Sequence, residues 1–305
     1  MNHMTDYAEG DVIVTREDAV LEVIDRDVNG YALSHLMYAP AMRGEKDIVI
    51  AKEGPLAGLS LVAWGHLYLP YRSHYVPGSF LIPSEAVKYH HYPETKAREA
   101  FFGNGDEELK RVVVAISAGS AVAPFSVGIG GSALLGIPSN FVKIVVYGIK
   151  HGIEVISFMK ETGLSTQDAK KKVIRKRKWM SDEVYSRLIE RKQDVGEIEG
   201  KLVRISVVLP RQVSLGRSGR IVHSQDGVEG EAKVSDDELG PAFPSRYFVK
   251  GDVQEIIVYD EDFVGLATVN ETVKYRGRLE TVEGDEGKIR RIIVGGRNDY
   301  VFPKA

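Results

Sequence analysis

A short glycine-rich turn before a strand is the feature of this sequence with the clearest potential for chemistry. The turn consists of Gly130, Gly131 and Ser132. Glycines allow the backbone N–H groups of such a turn to approach a phosphate closely. A site that transfers nucleotides would also carry carboxylates next to the following strand, where they would hold a metal ion. The strand 144–147 is instead preceded by Phe141 and Lys143, so the expected metal ligands are missing from this place.

Three other interpretations of the turn are a dinucleotide fingerprint, a structural turn and an anion-attracting pocket. Residues 128–133 fit the G-x-G-x-x-A dinucleotide fingerprint, but that fingerprint must open a helix of a parallel βαβ unit, and Pro138 follows too soon for such a helix. A purely structural turn and an anion-attracting pocket around Lys143 both stay open. We favour the structural turn because glycine permits the backbone geometry that a tight strand connection needs.

The second candidate is a run of seven cations within nine residues, followed by a tryptophan. These residues are Lys170, Lys171, Lys172, Arg175, Lys176, Arg177, Lys178 and Trp179. On a predicted helix over 165–179 the charges would cover most of the circumference and repel one another. A partner rich in phosphate would relieve that repulsion, and Trp179 could stack on a base. The alternative is a solvated face balanced by nearby acids such as Asp168 and Asp182.

Composition and other motifs exclude several classes of site. The chain has 305 residues, a net charge of −3 and no cysteine, which excludes disulfides, thiolate zinc sites and cysteine nucleophiles. We find no Walker loop, H-E-x-x-H or G-x-S-x-G motif. The acids Asp260, Glu261 and Asp262 are expected at a strand end, and no hydrolytic carboxylate pair is inferred from them. The absence of a long apolar stretch or signal peptide predicts a cytoplasmic protein that does not enter a membrane.

The pattern of apolar residues predicts an α+β chain in three parts. A β-rich region over 1–104 begins with a meander at 11–40 that includes an Asn29-Gly30 turn. A central α/β part over 105–210 contains a helix from 106 towards 116. In a second central helix, the side chains of Ile153, Ile156 and Met159 are expected to face the core. A β barrel or sandwich over 211–305 is predicted with a long loop within 210–245.

Five stretches, in this order, resemble an archaeal family whose central domain is related to the DNA polymerase β nucleotidyltransferases. They are GDVIVTREDAVLEVID, LIPSEAVKYHHYPETKARE, GIGGSALLGIPSNFVKIVVYG, IERKQDVGEIEGKLVRISVVLP and RYFVKGDVQEIIVYDEDFVGLATVNETVKYRGRLETVEG. The resemblance covers most of the chain. It implies a central nucleotidyltransferase-like domain with β-rich regions on both sides.

The resemblance also implies where catalytic residues would lie. In active members a Gly-Ser pair binds the triphosphate, an Asp-x-Asp on the following strand holds two magnesium ions, and a neighbouring strand carries a third carboxylate. Here Gly131 and Ser132 are present, but the aspartate positions fall on Phe141 and Lys143, and the third falls near Arg204. A phenyl ring cannot bind a metal ion and an ammonium group repels one. We therefore predict a degenerate nucleotide site with no catalytic residue, metal or cofactor.

These observations predict a non-catalytic protein on a nucleotidyltransferase scaffold. We expect the basic helix to bind structured RNA or a ribonucleoprotein, with the ribosomal subunit as a candidate target, and β-rich surfaces to contact protein or form a homodimer. One alternative is a divergent magnesium-dependent nucleotidyltransferase with displaced ligands. Another is a sensor that binds a nucleotide without turnover.

Overall fold

The structure is a computed structural model that describes residues 7–26, 31–40, 48–50, 73, 75–103, 106–213, 220–284 and 287–304. These residues are of mixed helix and strand and form three β-sheets. Within them, sixteen strands and six α-helices are numbered in chain order. The last sheet closes into a five-stranded barrel, which confirms that part of the predicted fold class.

An antiparallel sheet forms the N-terminal part, in the order β4-β3-β2-β1-β6 with β5 also paired to β3. Its strands are β1 (Val12–Thr15), β2 (Val20–Arg26), β3 (Ala32–Pro40), β4 (Ile48–Ile50), β5 (Ser79–Ile82) and β6 (Val87–His91). Strands β1 to β3 confirm the predicted meander, while the Asn29-Gly30 turn lies outside the described residues. Leu21 and Val23 enter the core of this sheet, and Glu22 between them points to the opposite face.

The central part contains a four-stranded sheet in the order β7-β8-β10-β9. Its elements are α1 (Pro93–Phe102), α2 (Glu107–Ser120), β7 (Val127–Gly130), α3 (Gly131–Leu134), β8 (Phe141–Tyr147), α4 (Ile149–Glu161), α5 (Gln167–Val173), α6 (Asp182–Arg191), β9 (Val195–Ile198) and β10 (Lys201–Val208). Strand β8 runs antiparallel to β7 and parallel to β10. The helix predicted from residue 106 is α2, whose Asp106 cap accepts the N–H groups of Glu108 and Leu109.

Helix α4 confirms part of the predicted inward face, because Met159 is buried and Ile156 packs against the core of the central sheet. It buries Gly152, Val155 and Met159, whereas Ile153 is 48% exposed, so the prediction that Ile153 points inward is wrong. A Cβ atom on Gly152 would lie 2.3 Å from a methyl carbon of Val207 in β10. The absence of a side chain at Gly152 lets the helix pack closely on the sheet, and that contact determines which face of the helix is buried.

The helix predicted over 165–179 is shorter in the structure. Helix α5 begins after Thr166, whose hydroxyl accepts the N–H of Ala169, and ends at Val173. Ile174 has extended backbone and is completely buried. A longer helix would stack further cations on the lysines of α5, and their mutual repulsion opposes it. An extended chain instead carries Ile174 into the core of the barrel.

The C-terminal barrel has the strand order β11-β12-β13-β15-β14, and β11 pairs with β14 to close it. Its strands are β11 (Arg220–Asp236), β12 (Ser245–Lys250), β13 (Glu255–Val258), β14 (Thr272–Gly284) and β15 (Gly287–Val294), with β16 (Tyr300–Pro303) paired to β14. The prediction of a long loop within 210–245 is wrong for the residues of β11. Its glycines are strand residues: Gly227 has a φ of +69° at a bulge, and a Cβ on Gly230 would lie 2.4 Å from the Tyr275 hydroxyl.

Two hydrophobic cores include residues from both sides of the predicted boundaries between the three parts of the chain, at 104/105 and at 210/211. Ala97 and Ala100 of α1 pack in the core of the central sheet. The segment from Ile174 to Val195, which includes α6, packs in the core of the barrel. Among the described residues, no helix is both long and apolar enough to cross a membrane.

Candidate functional site

Three positions of the predicted degenerate site lie side by side on the central sheet. Lys143 of β8 is the register partner of Gly130 in β7 and of Arg204 in β10. Gly131 follows directly in a left-handed conformation, with a φ of +63°, so a glycine is required there for the turn itself. The structure therefore brings together the residues that the sequence analysis assigned to this site.

The other two residues of the predicted site lie at its margins. Ser132 is in the short helix α3, where its carbonyl accepts the N–H groups of Leu135 and Ile137. Phe141 begins β8 and is partly exposed. Its backbone N–H donates to the Ser139 hydroxyl at 3.0 Å. These contacts shape the loop between the turn and the strand.

The Lys143 ammonium is buried and bound by acids from two other parts of the chain. Its side chain is only 5% exposed. It donates to Glu22 of the N-terminal sheet at 2.5 Å and to Glu261 in the barrel. Burial alone would lower the pKa of Lys143, but the carboxylates of Glu22 and Glu261 raise it above its usual range. Lys143 is therefore a fixed cation.

Arg204 is held by residues 260–262, which follow β13 and which we call the acidic turn. Its guanidinium donates to Glu261 at 3.0 Å and to Asp262 at 2.6 Å. Burial would raise the pKa of Glu261, yet Lys143 and Arg204 together hold it well below its usual range. We call the set Glu22, Lys143, Arg204, Glu261 and Asp262 the cation joint. It connects the N-terminal sheet and the central sheet to the short 3-10 helix Glu261–Phe263 that follows β13 of the barrel, through charge-assisted hydrogen bonds.

The face of the central sheet that carries the cation joint is covered by the N-terminal sheet. Leu134, two residues after Ser132, packs with Val12, Val20 and Tyr38 of that sheet. A Cβ atom on Gly10 would lie 3.0 Å from Val145 of β8. The position next to the glycine turn is therefore occupied by protein from the same chain.

Magnesium does not fit the residues at this place. Lys143 pairs in register with Gly130, and Arg204 pairs in register with Lys143. A metal ion at this place would therefore meet two positive charges. The neighbouring carboxylates Glu22, Glu261 and Asp262 are already bound to those cations. Among the residues that the structure describes, no three side chains of histidine or acid are grouped to hold a metal ion.

The run of cations forms a surface segment against the barrel. We call residues 170–178 the basic segment. Its exposed members are Lys171, Lys172, Arg175, Lys176 and Lys178. Lys170 is buried, and burial lowers its pKa while Asp194 and Glu190 oppose that shift. Lys176 forms an ion pair with Asp182.

Two members of the predicted nucleic-acid site face the protein. The Arg177 guanidinium donates to Asp260 and lies 3.5 Å from Asp262. The Trp179 ring stacks on Phe263 with centroids 6.2 Å apart and lies 5.1 Å from the Tyr300 ring. Arg177 and Trp179 therefore attach the basic segment to the barrel.

The sequence analysis did not find the acids that neutralise the buried cations. Glu22 lies in an apolar strand, and its partner Lys143 is 121 residues away in the sequence. A second buried cluster was also missed, in which Arg211 donates to Asp11 at 2.5 and 2.8 Å and to Glu94 at 2.6 and 3.0 Å. Residues 260–262 were predicted only to lie at the end of a strand, with no partner for their carboxylates. Single charged residues within apolar strands, such as Glu22 and Lys143, are the signal that could have indicated the cation joint.

Comparisons of the chain with protein-family models, with curated proteins and with solved structures find no match.

Proposed function

We propose that this protein is a non-catalytic RNA-binding protein that contacts the phosphates of structured RNA, free or in a ribonucleoprotein such as a ribosomal subunit. One observation carries the proposal: within eight residues, five cations are exposed on a segment that is anchored to the barrel. Lysine and arginine side chains that contact phosphates release condensed counterions, which supplies the affinity. The net charge of −3 does not oppose this, because the cations are concentrated locally.

We further propose that the central sheet is a nucleotidyltransferase-like domain that has lost its chemistry. The adjacency of Gly130, Lys143 and Arg204 on three neighbouring strands supports this scaffold. The cation joint supports the loss of catalysis, since the positions that would bind metal carry paired cations. Under this proposal the glycine turn retains only a structural role.

A titration of a structured RNA tests the RNA-binding proposal. The variant Lys171→Gln/Lys172→Gln/Lys176→Gln/Lys178→Gln removes four exposed charges from the basic segment. At about 0.1 M salt we expect the affinity to fall roughly a hundred-fold. The slope of log affinity against log salt concentration should decrease by the equivalent of about three phosphate contacts. Fluorescence anisotropy at several salt concentrations measures both quantities.

A matched control removes four exposed lysines from other surfaces. Lys150, Lys160, Lys233 and Lys250 are exposed. Their replacement by glutamine changes the net charge equally and should lower the affinity by about threefold or less. Equal losses in both variants, or no RNA binding by the unmodified protein, would contradict the proposed function.

A further inference from the structure

The basic segment alternates between residues that anchor it and residues that face solvent. Ile174 is completely buried and Met180 is 4% exposed, both in the core of the barrel. The hydroxyl of Tyr185 in α6 donates to the Ile174 carbonyl at 2.9 Å. Between these anchors lie the exposed residues Arg175, Lys176 and Lys178. The chain therefore presents its cations from a backbone that is attached at several points.

Arg177 is the central attachment. It lies between Asp260 and Asp262, and its guanidinium carbon is 5.0 Å from the centroid of the Phe263 ring. Burial alone would lower its pKa, but the Asp260 carboxylate raises it. Asp262 also binds Arg204. The acidic turn thus connects the basic segment to the cation joint.

The basic segment offers cations for phosphate contacts but no exposed aromatic ring on which a base could stack. Residues 164–194 are all described and contain two aromatic side chains, Trp179 and Tyr185, both partly buried. Trp179 packs against Phe263 and Tyr300. Proteins bind single strands largely by stacking bases on aromatic rings, whereas they recognise double-stranded RNA by its shape and its phosphate and ribose groups.

We propose that the basic segment is a preorganised surface for the phosphates of double-stranded RNA, with Arg177 as the positioning residue; this inference rests on the proposed function. A duplex holds its phosphates at fixed spacings, so a fixed array of cations binds it without ordering either partner. A single strand must lose conformational freedom to match the same array. The protein therefore prefers duplex to single-stranded RNA and does not discriminate between duplex sequences.

Two substitutions with opposite charge changes test the positioning role. Asp260→Asn makes the protein more positive, and its side-chain oxygen can still accept the N–H of Asp262 that holds the turn. Arg177→Gln makes the protein more negative. Both loosen the segment, so we expect each to weaken binding to a duplex of roughly 20 base pairs by about tenfold, with little change for an unpaired strand of the same length. Duplexes of two unrelated sequences should bind the unmodified protein alike.

Because the two substitutions change the net charge in opposite directions, an effect of charge alone can be distinguished from an effect of positioning. If affinity simply follows net charge, Asp260→Asn strengthens duplex binding while Arg177→Gln weakens it, and the positioning role is wrong. Equal affinity of the unmodified protein for duplex and single strand also overturns the inference, though the proposed function would stand. Absence of binding to any RNA would refute the proposed function itself. Circular dichroism verifies folding, and Arg177→Lys, which keeps the charge but cannot bind two carboxylates in the same fork, replaces any variant that unfolds.

Discussion

Two sets of cations in this protein have the same chemistry and opposite surroundings. Lys143 and Arg204 are buried in the central sheet, and each is bound by carboxylates from elsewhere in the chain. Lys171 and Lys172 are exposed on the basic segment. The difference teaches that a run of cations along the sequence indicates a surface, whereas a single cation within an apolar strand indicates a buried contact.

The energetic consequences of burial separate the two sets. A charge removed from water needs a partner, and removing one member of a buried pair leaves the other charge uncompensated. An exposed cation remains solvated whether or not a partner is near. We therefore expect substitutions in the cation joint to act on stability, and substitutions in the basic segment to act on binding.

The largest expected effect is that of Lys143→Met, which leaves Glu22 and Glu261 without their shared cation. We expect the free energy of unfolding to fall by about 3–5 kcal/mol, measured by denaturant titration. The control Lys150→Met, at an exposed position of α4, should change it by about 0.5 kcal/mol or less. The double variant Lys143→Met/Glu22→Gln should regain part of the loss. A loss below about 1 kcal/mol for Lys143→Met would show that the cation joint is not a stabilising contact.

An intermediate effect is expected at Glu9, a buried carboxyl with a poor partner. Its nearest cation is Arg26, with nitrogen and oxygen 3.6 Å apart. Burial, together with the charge of Asp25, raises the pKa of Glu9 from 4.5 to about 7. Because the folded state holds this proton more tightly, the stability from Glu9 is full below pH 4.5 and is lost as the pH rises to about 7.

Glu9→Gln tests this pH dependence. The variant should be more stable than the unmodified protein at pH 8 by roughly 2–3 kcal/mol, and the difference should shrink towards acidic pH. Denaturant titrations across this pH range measure it, with Glu85→Gln at an exposed position as the control. A difference that stays constant with pH would mean that Glu9 titrates alike in the folded and unfolded states.

The smallest effect on stability is expected for the fourfold lysine variant of the basic segment. Its thermal unfolding midpoint should stay within about 3 °C of that of the unmodified protein, because the four side chains are solvated. Calorimetry measures the midpoint. A loss of many degrees would erase the contrast between the two sets of cations, and any loss of RNA binding would then need a structural explanation.

Local signals in the sequence were sufficient for several elements. The capping acid Asp106 and the apolar spacing after it predicted helix α2, which the structure confirms and extends to Ser120. The β-branched runs predicted strands β1 to β3. Close contacts explain why the predictions for Ile153 and for a long loop at the residues of β11 are wrong. Gly152 against Val207 and Gly230 against Tyr275 are invisible in a local pattern, because the partner residue lies far along the chain.

The sequence by itself determined the character of both candidate sites. It placed Phe141, Lys143 and Arg204 at the positions where the resemblance to nucleotidyltransferases would imply metal ligands, and it showed that seven cations lie between Lys170 and Lys178. Only the tertiary structure decided that Lys143 and Arg204 are paired with Glu22, Glu261 and Asp262, and that Arg177 and Trp179 face the barrel. Residue type fixes the charge that a side chain can carry. Whether that charge is buried and paired or free to bind a ligand depends on segments that meet only after folding.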